Sequence, residues 1–220
     1  MTDQPKKKLA LVTGASRGLG FAMAEELGKQ GWHVVAVART TGGLEALDDR
    51  IQAAGGSSTL APLDITKPEE MLTLAQGIAS RWGGADLWIH AAIHAAPLCP
   101  TGHIDAEDVE NSVNTNYVAV TTLIPLVEPL LRAVDGKAVF FDDDHFGQPF
   151  WGSYGATKAA QMSLVRGWQA ETAKIGPKVQ IVQPQPMETA VRARFYPVED
   201  RDPLHDCHDE ARRLLAEILD

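Results

Sequence analysis

Tyr154 and Lys158 stand four residues apart in the run Tyr-Gly-Ala-Thr-Lys. On a helix that spacing puts both side chains on one face, one turn apart. A phenol with its ordinary pKa of about 10 is a poor proton donor or acceptor at neutral pH. A neighbouring ammonium stabilises the phenolate and lowers that pKa. The pair therefore reads as acid–base machinery, with an ordinary surface tyrosine and lysine on an amphipathic helix as the alternative.

A second cluster handles phosphate. The stretch Gly14-Ala15-Ser16-Arg17-Gly18-Leu19-Gly20 lies between an apolar run and a helical pattern. Gly14 permits a tight turn, Gly18 lets backbone approach a pyrophosphate, and Gly20 lets the helix pack close to the sheet. The helix N-terminus then offers free N–H groups and the positive end of its dipole. The next apolar run ends at Arg39, where an NAD site usually carries an acid for the ribose hydroxyl. The guanidinium forks of Arg39 and Arg17 suit a 2′-phosphate instead. These positions predict NADP(H) rather than NAD(H). Asp64 could accept from an adenine amino group or cap the turn beside Thr66.

The elements that must carry these residues alternate. Strands are predicted at residues 9–13, 33–38, 58–63, 85–90, 138–142 and 178–183. Helices are predicted at residues 18–30, 43–54, 68–82, 105–133, 151–175 and 208–219. Alternating β and α with continuous apolar strands implies a doubly wound α/β fold, a parallel sheet with helices on both faces. Within 220 residues and with no linker, one domain spanning 1–220 is expected. Pro125 and Pro129 fall inside the longest helix and predict a kink or an early stop. A net charge of −9 argues against nucleic acid as partner. The basic run Lys6-Lys7-Lys8 reads as a solvated tail. Cys99 and Cys207 make no disulfide framework, and no apolar run reaches membrane-spanning length. A cytoplasmic location without membrane contact is the expectation. The segment His205-Asp-Cys207-His208 lacks a second ligand cluster nearby in sequence and reads as a polar loop, with no metal.

The glycine loop, Asp64-Ile65 and Tyr154-Gly-Ala-Thr-Lys158 together resemble the short-chain dehydrogenase/reductase superfamily, over about residues 9–189. The resemblance implies a Rossmann-like sheet, a nicotinamide cofactor, and reduction of a small-molecule carbonyl or oxidation of an alcohol. It implies homodimers or homotetramers built through the long helices. Tyr154 becomes the general acid/base, and Lys158 its tuner and ribose ligand. Asn116 rather than Asn114 becomes the relay asparagine of the middle helix. Ser16, Leu19 and Ile65 join the cofactor contacts, as do Pro184, Met187 and Thr189 in the segment Gln183–Thr189.

The sequence departs from that family in four places. The fourth strand ends His90-Ala91-Ala92-Ile93, where Ala91 replaces an amide and Ile93 a glycine near the cofactor. Asp143, within Asp142-Asp143-Asp144, aligns with the serine that donates to the substrate oxygen, and Ser153 is no substitute. Gln185 replaces a glycine. The family's strand after the last helix is missing. Arg192 and Arg194 precede Phe195-Tyr196 in the segment that covers substrate; they either attract an anion or form a solvated face. The leading expectation is NADPH-dependent carbonyl reduction with Tyr154 as proton donor. The alternative is a weak or inactive NADP-binding homologue acting as a sensor or assembly partner.

Overall fold

Alternation of apolar side chains along each strand feeds two separate cores. In β1 (Leu9–Thr13), Leu9 and Leu11 point to one face of the sheet while Ala10 and Val12 point to the other. The computed structural model describes residues 7–220, so Lys6 of the basic run lies outside the described residues. The remaining strands are β2 (His33–Val37), β3 (Ser57–Ala61), β4 (Leu87–His90), β5 (Lys137–Phe141) and β6 (Lys178–Val182). All pair in parallel, in the order β3-β2-β1-β4-β5-β6.

Helices cover both faces. They are α1 (Gly18–Lys29), α2 (Thr41–Ala53), α3 (Pro68–Trp82), α4 (Ala106–Val113), α5 (Ala119–Arg132), α6 (Gly152–Thr172), α7 (Ala190–Phe195) and α8 (Cys207–Leu219). One core gathers Leu11, Trp88 and Phe140 under Leu123, Val165 and Trp168 of α5 and α6. The other gathers Val12, Val34 and Ile89 under Leu27, Leu44 and Leu214 of α1, α2 and α8. Because β1 and β4 are neighbours, the chain reverses its direction of winding between them. Their carboxyl ends, Thr13 and His90, bound the crevice where ligands of such sheets bind.

The expected helix over 105–133 is present but not uniform. Asp105 caps it, accepting from the N–H groups of Glu107 and Asp108. Residues Asn114–Val118 form a π-helical turn between α4 and α5, an extra-residue bulge of the kind found at functional sites. Of the kink or early stop that the prolines predicted, the stop does not occur: α5 continues to Arg132 with both inside it. Pro125 and Pro129 share its exposed side. The partnerless carbonyls of Thr121 and Pro125 therefore lie on the side open to water, which lowers the cost of the missing bonds. Helix α7 was not anticipated; its N-cap is Thr189, whose hydroxyl accepts from Arg192 N–H.

Candidate active site

A cleft of about 1250 Å³ runs along the carboxyl ends of the strands. Its floor begins at the glycine loop. Gly14 has φ +87°, and a Cβ there would collide with the backbone of Ala91 and Ala92 at the end of β4. At Gly20 a Cβ would strike the Gly14 carbonyl and press on the Ala91 methyl. The two glycines thus let α1 and β4 close on the loop from opposite sides. Gly18, with φ +59°, has open space toward the cleft except for Thr189 Cγ2 at 3.7 Å. No side chain caps the start of α1, so its first N–H groups stay available to an anion. This cradle fits the pyrophosphate of a dinucleotide.

Ser16, Arg17, Leu19, Arg39, Asp64 and Ile65 line the same end of the cleft, with both arginines exposed at its rim. Asp64 Oδ1 accepts from the N–H and hydroxyl of Thr66, both at 2.9 Å, so it closes the turn and leaves Oδ2 to face outward contacts. Pro184, Met187 and Thr189 line the cleft from the loop after β6. That loop is fastened by distant residues: Gln185 N–H donates to Glu210 Oε1 at 2.8 Å, Glu188 N–H donates to His205 O at 3.2 Å, and His205 N–H donates to Pro186 O at 3.1 Å.

At the reacting end, Tyr154 is buried and donates to Asp143 Oδ2 at 2.7 Å. Asp143 Oδ1 lies 2.6 Å from His145 Nδ1, off the N–H direction, a close contact rather than an aligned hydrogen bond. His145 stacks on Trp151 at 3.7 Å between centroids, and Trp151, Tyr154 and Phe195 pack into an aromatic wall. Burial first, then the Asp143 carboxylate, pushes the Tyr154 phenol well above its ordinary pKa. The sequence suggested the reverse, a phenol made more acidic by Lys158. The difference is geometric: the tyrosine donates to an anion, while Lys158 is turned elsewhere. Lys158 Nζ donates to Gln161 Oε1 at 2.7 Å, and burial brings it down to about 8.

Gln161 then donates through Nε2 to the Asn116 carbonyl at 2.9 Å. Asn116 is fully buried in the π turn, whereas Asn114 is exposed. The Asn116 amide clamps the loop after β4: its Oδ1 accepts from His94 N–H at 2.7 Å, and its Nδ2 donates to His94 O at 2.9 Å and to Thr157 Oγ1 at 3.1 Å. His90, under the cleft, accepts or donates through Nδ1 to Thr13 Oγ1 at 2.9 Å, while Nε2 is buried without a partner. Burial, then the charge of Lys158, lowers its pKa to about 3.

Several participants were absent from the sequence reading. Gln161 carried a usable signal, three residues after Lys158 on the same helical face. His145, two residues after Asp143, is brought back toward it only by the loop between β5 and α6. Arg192 and Arg194 do not reach out to an anion. The fork of Arg192 is held by Glu199 at 2.5 and 2.7 Å, and Arg194 donates to Ala95 O. Ser153 Oγ is buried without a partner.

The short chain dehydrogenase family model matches residues 8–200, and the chain belongs to that family. An uncharacterised oxidoreductase of Staphylococcus aureus is 30% identical, covering 87% of this chain and 83% of the relative. A putative short chain dehydrogenase from Pseudomonas syringae superposes with a TM-score of 0.86 at 28% identity, over 94% of this chain and 87% of the other. A putative short chain dehydrogenase from Shigella flexneri, solved in complex with NADP, gives a TM-score of 0.83 at 26% identity over 95% and 90%. Among the described residues no helix is long and apolar enough to cross a membrane.

Proposed function

We propose that the protein is an NADP(H)-dependent oxidoreductase acting on a small-molecule carbonyl or the matching alcohol. What carries the reading is that the uncapped start of α1, the two arginines and the Tyr154–Lys158 pair all open on one cleft. The bound dinucleotide would supply or accept hydride. Gly14, Gly18 and Gly20 hold its phosphates on backbone N–H groups, Arg17 and Arg39 pair with the 2′-phosphate, and Asp64 Oδ2 and Ile65 bound the adenine side. Pro184, Met187 and Thr189 border the nicotinamide end. Tyr154 holds the proton exchanged with the substrate oxygen, and Asn116 keeps the loop after β4 against α6. Asp143 occupies the place of a donor to that oxygen. One observation favours a second reading, a cofactor-binding homologue with little turnover: the Tyr154 hydroxyl is already committed to Asp143.

A homo-oligomer fits the row Val109, Val113, Tyr117 and Val118, exposed along α4 and the π turn. We read the whole chain as one domain, working in the cytosol. Titration with NADPH and NADH, followed by a carbonyl panel read by NADPH absorbance, tests the proposal. Binding with turnover supports the enzyme, binding without turnover supports the second reading, and no NADPH binding overturns both.

A further inference from the structure

We propose that this site reduces iminium carbon–nitrogen double bonds in preference to the matching ketones. The inference rests on the hydride-transfer reading above and names its substrate class. It starts from the charge at the reacting end. Asp143 accepts the hydrogen bond of the Tyr154 hydroxyl through Oδ2, as a carboxylate does, and its Oδ1 lies 2.6 Å from His145 Nδ1 without an aligned N–H bond. Its side chain is 38% exposed within the cleft. As hydride reaches a ketone, negative charge grows on the carbonyl oxygen, and a carboxylate there opposes it. A substrate that begins positive is instead attracted.

Nearby charges do not cancel this preference. Asp142 is taken by Arg166 at 2.6 Å and Arg192 by Glu199, while the Lys158 ammonium keeps its charge but donates to the neutral Gln161 amide rather than pairing with Asp143. Among the described residues, Asp143 has no lysine or arginine within ion-pair distance, and its close basic neighbour is His145. The aromatic wall suits the same ligand, because ring faces attract cations. Tyr196, which borders it, already holds the Arg192 guanidinium 4.8 Å from its centroid.

Proton supply points the same way. Ketone reduction needs a hydride on carbon and a proton on oxygen. The Tyr154 proton is engaged with Asp143, and the phenol is made less acidic by burial and that anion. Lys158 leads through the Gln161 amide to a backbone carbonyl, and an amide is a poor proton carrier. Iminium reduction needs no proton in the hydride step. Hydride adds to carbon, the π pair becomes the nitrogen lone pair, and the product is a neutral amine. The substrate loses one positive charge as the nicotinamide ring gains one, so charge balances.

The test compares N-methyl-dihydroisoquinolinium, whose charge cannot be lost to buffer, with tetralone, a ketone of the same ring size. Both are given to the NADPH-loaded protein, with protein-free controls. The iminium should show kcat/KM larger by about 10²-fold, the scale of one misplaced electrostatic contact to the reacting group. Asp143→Ser should narrow or invert that ratio. Calorimetry gives a readout without turnover. The saturated N-methyl-tetrahydroisoquinolinium should bind about 10-fold more weakly to Asp143→Asn, with NADPH affinity unchanged, on the scale of one lost charge contact. If tetralone is the better substrate, the inference falls and hydride transfer stands. If NADPH binds but neither probe turns over, the hydride-transfer reading falls and takes the inference with it. Equal binding of the saturated cation to Asp143→Asn would remove Asp143 from the argument and overturn the proposal.

Discussion

Lowering the pH should destabilise the fold through His90. The imidazole sits beneath the cleft, 3% exposed, with Nε2 lacking a partner and the Lys158 ammonium close enough to oppose a second charge. Its folded pKa is about 3 against an ordinary 6.5. Above pH 6.5 the ring is neutral in both folded and unfolded chains, and it adds no pH dependence. Between 6.5 and about 3 the unfolded chain takes the proton and the folded chain does not. Stability therefore falls as pH falls through that window and levels off below about 3. At 1.36 kcal/mol per pH unit the whole window is worth roughly 5 kcal/mol, a large share of the 5–15 kcal/mol typical of a folded domain. Carboxylates add their own acid dependence, so the informative quantity is a difference between proteins. Urea midpoints measured from pH 7 to pH 4, for wild type and His90→Gln, isolate it. The variant should start less stable, because a neutral amide replaces a fitted ring. Its stability should then decline more gently, by several tenths of a kcal/mol to about 1 kcal/mol per pH unit. Parallel curves would show that His90 protonates in the folded chain and would refute the burial argument.

Arg39→Ala should weaken NADPH binding by about 10-fold or more, from the loss of a charge-assisted contact, and leave NADH nearly unchanged; fluorescence titration reads both. Tyr154→Phe removes only a hydroxyl and should lower ketone turnover by about 10²–10⁴-fold while sparing NADPH affinity, measured by initial rates and titration. Asn116→Ala orphans the His94 N–H and opens a small void, at a cost of about 2–4 kcal/mol read by urea unfolding. Its partner hydroxyl, Thr157, keeps bonds to Ser153 O and Tyr154 O, so the loss stays within that range.

The sheet was legible because most of its strands are short apolar runs and the longer helices between them carry an amphipathic period, signals that survive without tertiary context. The glycine loop was legible because Gly14 and Gly20 serve close approaches that no other residue permits. Asn116 was distinguishable from Asn114 only by alignment, since the π turn that buries one and exposes the other depends on packing against α6. The direction of the Tyr154 shift was not legible. Spacing places Lys158 near it, but the outcome depends on which neighbour takes the hydrogen bond, and Asp143 arrives from the loop after β5. Gln161 escaped notice for a related reason. A glutamine at helical spacing is ordinarily a surface residue, and only burial against the π turn turns it toward Lys158.

The loop after β6 is tied to the rest of the fold at more than one point. Its backbone is held by Glu210 of α8 at Gln185 and by reciprocal bonds between the Pro186–Glu188 stretch and His205. Glu210 is itself buried and gripped by Arg213 at 2.6 and 2.8 Å. The wall of the cleft is thus assembled before any ligand arrives, and association loses little conformational entropy in ordering it. Encounter with a dinucleotide should accordingly follow one kinetic phase whose rate rises linearly with concentration, as for docking into a preformed groove, without the plateau imposed by a slow closing step.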